Sequence, residues 1–174
     1  ACHVYDGYLA HSEHKSHFIG GIGGWHDAGD YGKYVATTAV AVGNLLFAYE
    51  LIPGYFDSLK LDIPKSLDDA PDYLEEVKIG LDWMLRMQRH DGAIYRKLSG
   101  KKWPALIPPH EDSQMRYVYG VSTSDTAKAA ASFAQAARIY ARHVPAYSEE
   151  LLQAARDAWR YLELTPDQEF DYRD

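Results

Sequence analysis

Between residues 33 and 51, apolar side chains recur every three or four positions at Val35, Ala39, Val42, Leu46 and Tyr49. This spacing predicts one helix with a single buried face. Pro53 and Gly54 stop it. Residues 52–70 are rich in Asp, Pro and Ser and predict a long connection of the kind that serves function in compact domains. A second helix is expected over 71–89. Pro71 sits where a missing N–H costs little, and Asp72, Glu75 and Glu76 place negative charge at the positive end of the dipole. Its inward side is Leu74, Val77, Leu81, Met84, Leu85 and Gln88, Trp83 falls in the core, and Asp91-Gly92 ends it.

Residues 90–121 read as irregular, punctuated by Gly92, Gly100, Pro104, Pro108, Pro109 and Gly120, with at most a short hairpin over 94–98. A third helix is expected over 126–142, capped by Ser122, Ser124 or Asp125. Ala127, Ala130, Ala131, Ala134, Ala137 and Ala141 give it a small-residue face that lets a neighbour approach closely. Ser148 is the expected cap of a fourth helix, with Leu151, Leu152, Ala155, Trp159 and Leu162 inward and Pro166 at its end. With no convincing strand series, the pattern predicts an all-α fold of helical hairpins joined by long loops.

Composition narrows the partner. The 174 residues are 47% hydrophobic and 25% charged, which is ordinary for one soluble globular domain. A net charge of −7 and a pI near 5.6 argue against nucleic acid or an anionic membrane and for a neutral ligand. Fourteen tyrosines and four tryptophans supply ring faces of the sort that pack against sugar CH groups. No apolar run approaches the roughly 20 residues needed to span a bilayer, and no basic region followed by an apolar segment opens the sequence. Cys2 is the single cysteine and excludes an internal disulfide.

The densest chemistry lies in Gly23-Gly24-Trp25-His26-Asp27-Ala28-Gly29-Asp30-Tyr31-Gly32-Lys33-Tyr34. Flanking glycines allow sharp turns that aim Asp27 and Asp30 into one cleft. Paired carboxylates there suit hydrolysis by water, one taking a proton and the other fixing the nucleophile. The plainer alternative is that an Asp merely caps the helix that follows. A helix-flanked calcium loop fits badly, because counting from Asp27 puts Gly29, Tyr31 and Thr38 at the third, fifth and twelfth positions. Lys33 is the expected compensating charge beside the two acids.

This run resembles the catalytic signature of glycoside hydrolase family 9, the inverting endo- and exo-glucanases that include many cellulases. Leu46-Phe47-Ala48-Tyr49-Glu50, Ile63-Pro64-Lys65-Ser66, Ala70-Pro71-Asp72-Tyr73-Leu74-Glu75-Glu76-Val77 and Leu81-Asp82-Trp83-Met84-Leu85-Arg86-Met87-Gln88 follow the same family's order. The resemblance implies that residues 1–174 are the N-terminal part of one catalytic domain, a portion of an (α/α)6 barrel. It also implies that Asp30 is the general base and Asp27 its partner on the same water.

By the same resemblance, His26 and Tyr31 line the floor of the site and hydrogen-bond the acids. Trp103, held in Lys101-Lys102-Trp103-Pro104, borders the sugar groove as a stacking platform. Clamping its loop onto the barrel is the competing role for Trp103, and Tyr95 and His110 are weaker candidates of the same kind. The general acid is implied to be a glutamate late in the domain, beyond this chain, so Glu50, Glu111 and Glu169 are not assigned that role. The chemistry needs no cofactor. Some bacterial members hold a structural zinc through Cys and His, for which Cys2 and His3 are candidates with further ligands upstream, whereas the family's calcium site is expected beyond Asp174. His11, His14 and His17 read as solvated loop histidines. The implied substrate is a β-glucan met outside the cell. The alternatives are an exo-acting enzyme on gluco- or glucosamino-oligosaccharides, or a non-catalytic helical fragment with a carbohydrate-binding surface.

Overall fold

The apolar stripe of the first helix is buried where its spacing placed it. Along α1 (Val35–Leu51), Val35, Val42 and Leu46 are sealed from solvent, and Ala39 and Tyr49 nearly so. The structure is a computed structural model and describes residues 2–9 and 19–166. His11, His14, His17 and Glu169 lie outside the described residues.

Pro53 does more than end α1, because its fixed φ also starts a short helix, α2 (Pro53–Ser58). The rest of the connection is clamped onto the start of α3 (Asp72–Arg86). Asp72 accepts from the Leu61 N–H at 2.9 Å and pairs with Lys65 at 2.6 Å, while the Glu75 carboxylate receives the Ser66 N–H and hydroxyl and the Leu67 N–H. The acids at this helix start therefore satisfy loop donors as well as facing the dipole. Leu74, Val77, Leu81 and Met84 are buried as the pattern requires, and Trp83 is fully enclosed.

Ser122 caps α4 (Thr123–Tyr140) by accepting from the Asp125 N–H at 2.9 Å. The fourth long helix departs from expectation. α5 (Pro145–Leu164) begins with Pro145 in its first turn, and the Ser148 hydroxyl donates to Ala137 O at 2.7 Å, tying α5 to α4 instead of capping. The inward side of α5 is Tyr147, Leu151, Ala154, Ala155, Ala158 and Tyr161. Trp159 is 60% exposed, so its expected inward position is corrected. The alanine face of α4 divides in a related way. Ala137 is buried in the core, whereas Ala127, Ala131 and Ala134, with the buried Ala130 at its floor, line an open groove of about 610 Å³ together with Leu152, Arg156 and Trp159.

A small sheet accompanies the helices. It has four strands in the order β1 (Tyr8–Leu9), β4 (Arg116–Val121), β3 (Tyr95–Gly100), β2 (Lys33–Tyr34). β3 and β4 pair antiparallel with Leu98 opposite Val118 and Gly100 opposite Arg116. β2 joins β3 antiparallel, and β1 joins β4 in parallel. The expected hairpin over 94–98 is instead part of β3, an inner strand paired on both sides with segments distant in sequence. Ile94, Leu98 and Val118 enter the same core as α1, α3 and α4. The sheet sets the end of the acid loop, which runs straight into β2, beside β3 and the loop over 101–115.

Candidate active site

Glycines shape the entry to the acid loop. Gly23 and Gly24 have φ of +88° and +73°, and a Cβ on Gly24 would stand 2.7 Å from Cγ of Trp83. At Gly24 the chain therefore needs both the left-handed conformation and the space. The loop closes through Asp27 N–H donating to Gly32 O at 2.8 Å and Tyr31 N–H donating to Ala28 O at 3.0 Å. Tyr31 itself takes φ +53°, a conformation that costs a non-glycine residue.

Within this frame Asp30 is held and Asp27 is open. Asp30 Oδ1 accepts from the Gly32 N–H at 2.9 Å and Oδ2 from the Tyr34 hydroxyl at 2.5 Å. Asp27 is exposed, and no described side chain or N–H donates to its carboxylate. Neither acid caps α1, whose N-cap is Tyr34 with no side-chain cap. Burial, with help from Asp30 and Asp27, pushes the Tyr34 phenol up to about 12, so at neutral pH it remains a donor.

Lys33 does not face the acids, which corrects the expectation of a compensating charge there. Strand alternation sends Tyr34 toward Asp30 and Lys33 the other way. The Lys33 ammonium is buried, 2.7 Å from Asp6 and 3.1 Å from Gly21 O. Burial lowers its pKa against the opposing pull of Asp6.

His26 and Tyr31 are engaged elsewhere than with the two acids. Nε2 of His26 lies 3.2 Å from Nδ1 of His3, and the Tyr31 ring packs against both imidazoles. The Tyr31 hydroxyl donates to Ile107 O, fastening the acid loop to the loop over 101–115. In that second loop Trp103 is 74% exposed, which leaves its ring faces available and is inconsistent with clamping by burial. Tyr95 packs with Ala93, Val121 and Tyr161, and His110 is exposed beside Glu111. Glu50 pairs with Arg138 across α1 and α4.

Cys2, His3 and His26 form a cluster whose donor atoms all lie within 4.8 Å of one another. A tetrahedral zinc with ligands at 2.0–2.3 Å needs donors roughly 3.3–3.8 Å apart. His3 Nδ1 and His26 Nε2 stand 3.2 Å apart, and one thiolate with two imidazoles is a donor set that suits that ion. Asp112 Oδ2 lies 3.3 Å from His3 Nε2, which leaves Nδ1 of His3 turned toward His26. That is the arrangement in which a carboxylate orients a metal-binding imidazole. Burial, then Arg116, His3 and Lys33, lower His26 to about 4 against the pull of Asp6. Burial and Arg116 also lower His3. Both rings are neutral at pH 7, the form that ligates.

The profile of Glycosyl hydrolase family 9 matches residues 1–174. The chain belongs to this family. The family 9 chain is 34% identical over 167 residues to Endoglucanase D of Acetivibrio thermocellus, a match covering 95% of the chain and 27% of that protein. A crystal structure of a metagenome-derived glycoside hydrolase family 9 endoglucanase superposes with a TM-score of 0.92 at 49% identity, covering 98% of this chain and 32% of that one. A Zn-binding triple mutant of a family 9 endoglucanase superposes with a TM-score of 0.90 at 47% identity, covering 100% of this chain and 34% of that one. The largely helical family 9 chain is accordingly part of an (α/α)6 barrel, and it spans about a third or less of these relatives.

The sequence had named Asp27, Asp30, His26, Tyr31, Trp103, Cys2 and His3. It missed Tyr34 as a partner of Asp30, and Asp112, Arg116 and Asp6 altogether. Tyr34 ends the glycine- and acid-rich run, and its position four residues after Asp30 is the available signal. The other three lie in segments without periodicity, and long-range folding brings them here.

Proposed function

We propose that residues 1–174 are the N-terminal part of a catalytic domain that hydrolyses β-1,4-glucosidic bonds of cellulose or a related β-glucan with inversion. The observation that carries this reading is the pairing of a fixed Asp30, bonded by the Gly32 N–H and Tyr34 hydroxyl, with an exposed Asp27 in the same tight loop. In this reading Asp30 is the general base and Asp27 holds the same water. The water oxygen attacks the anomeric carbon as Asp30 takes its proton. The glycosidic C–O bond breaks, and a glutamic acid from a later part of the domain protonates the leaving oxygen. Inversion calls for about 6.5–9.5 Å between those two carboxyl groups, so that water fits between base and sugar.

Trp103 supplies a ring face for a glucosyl unit, and Tyr31 and His26 build the wall behind the acids. The names of the relatives, endoglucanases among them, favour an internal site of attack on a polymer, and the enzyme acts outside the cell where such polymers are met. A zinc ion on Cys2, His3 and His26 would supply no chemistry to hydrolysis and would fasten the segment around residue 3 to the acid loop. No helix among the described residues is long and apolar enough to cross a membrane.

The test is Asp30→Asn in the whole enzyme. Turnover of a soluble cellulose derivative should fall by about 10²–10⁴-fold while oligosaccharide binding persists. Wild-type hydrolysis by this variant removes the base assignment. The first-formed anomer, read by NMR on a cello-oligosaccharide, checks inversion, and chitosan oligomers run in parallel separate a glucanase from a glucosaminidase.

A further inference from the structure

Asp6 touches neither acid of the loop, yet its carboxylate, 1% exposed, joins two buried cations. Oδ2 lies 2.7 Å from the Lys33 ammonium and Oδ1 lies 2.8 Å from Nε of Arg116, both side chains being 4% exposed or less. Each cation then reaches a backbone carbonyl at one end of the acid loop. Lys33 donates to Gly21 O at 3.1 Å, before the loop, and Arg116 donates through Nη2 to Tyr31 O at 2.6 Å, within its last turn. The Asp6 carbonyl accepts from the Gly21 N–H at 3.0 Å as well.

Burying one anion with two cations is an expensive way to stabilise a fold, since apolar residues of the same volume do as well or better. What the arrangement supplies is geometry. The Tyr31 peptide carries a positive φ between Asp30 and Gly32, and the Gly32 N–H is one of the two donors that aim Asp30. A guanidinium gripping the Tyr31 carbonyl sets the plane of the Tyr31–Gly32 peptide, and with it the direction of that N–H.

We propose that Asp6 is a positioning residue for the acid loop, acting through Lys33 and Arg116 on the two ends of the loop to fix the direction in which Asp30 faces its water. This rests on the β-glucanase reading above, in which Asp30 is the base. A base turned away from its water loses rate without losing sugar contacts, because the contacts to the rest of the substrate are made elsewhere.

The experiment compares Asp6→Asn and Arg116→Lys in the whole enzyme, with kcat and KM measured separately on a cello-oligosaccharide and folding followed by thermal melting. Arg116→Lys keeps a positive charge beside Asp6 and removes the second arm that reaches Tyr31, so it decides the matter if Asp6→Asn does not fold. The expected result is a fall in kcat of about tenfold or more in each folded variant, with KM within about twofold of the parent. Arg138→Ala, which breaks the exposed pair with Glu50, should leave both constants unchanged.

A parent-like kcat in either folded variant, or a loss confined to KM, overturns the proposal while the β-glucanase reading stands. A parent enzyme that releases no reducing ends from any β-1,4-glucan overturns both.

Discussion

Tyr34 donates its phenol hydroxyl to Oδ2 of Asp30 at 2.5 Å from the last position before α1 begins. The phenol is a donor throughout the neutral range because its pKa is raised to about 12. A hydrogen bond to a charged carboxylate is worth about 1.5–3 kcal/mol. In this place it also stops the Asp30 side chain from rotating. Tyr34→Phe should therefore lower kcat by about tenfold with little change in KM. Gly32 guards the same contact, for a Cβ there would lie 2.5 Å from the Tyr34 ring and 2.8 Å from its hydroxyl. Gly32→Ala should be at least as damaging as Tyr34→Phe. Parent-like kinetics in both variants would show that Asp30 needs no such restraint.

Much of this was open to reading in the chain itself, and the division follows physical lines. α1 and α3 announce themselves because their buried residues follow a local period and their ends carry Pro and Gly. The Asp27 and Asp30 loop is legible because glycine, aromatic and acid crowd into twelve residues with few structural uses. α5 misled because Ala154 and Ala158 are as apolar as their larger neighbours in context, so size alone pointed to Trp159 instead. β3 and β4 were hidden for a different reason. Tyr95-Arg96-Lys97-Leu98-Ser99-Gly100 has no clean alternation, and its pairing is secured across the sheet by contacts such as Lys97 over the Tyr119 ring at 4.2 Å. Asp6 and Arg116 are distant in sequence and become partners through the parallel pairing of β1 with β4.

Trp103 offers a test that separates recognition from architecture. Its ring is 74% exposed, so removing it takes away almost no packing. Trp103→Ala should leave the unfolding free energy within about 0.5 kcal/mol of the parent. If a glucosyl unit stacks on the indole, the loss of about 1–2 kcal/mol of binding raises KM roughly 5- to 30-fold. An unchanged KM on long oligosaccharides would remove Trp103 from the substrate groove.

The cluster of Cys2, His3 and His26 makes a prediction independent of catalysis. The protein should take up one zinc ion per chain, measured by competition with a chromophoric chelator, and should melt at higher temperature with it. Cys2→Ser should abolish tight binding, because the thiolate is the strongest donor of the set. Asp112→Ala should weaken binding by about 10–100-fold, since the His3 ring would lose the partner at Nε2 that turns Nδ1 inward. Equal zinc affinity in Asp112→Ala and parent would exclude that orienting role.

With metal removed by chelation, the same histidines predict how stability changes with acid. His26 is lowered from 6.5 to about 4 by burial first and then by Arg116, His3 and Lys33, and His3 moves in the same direction. A histidine whose folded pKa is depressed binds its proton more readily in the unfolded chain. Its contribution to stability is complete above about pH 6.5 and is lost progressively as the pH falls toward 4. His26→Gln keeps a polar side chain of similar size and has no proton to bind there, so its melting temperature should fall less steeply than the parent's between those pH values. Carboxylates common to both proteins cancel in that difference. Parallel curves for parent and variant across the window would mean that the His26 ring is not held neutral by its surroundings. Zinc should steepen the parent's curve further, because protons and metal then compete for the same nitrogen.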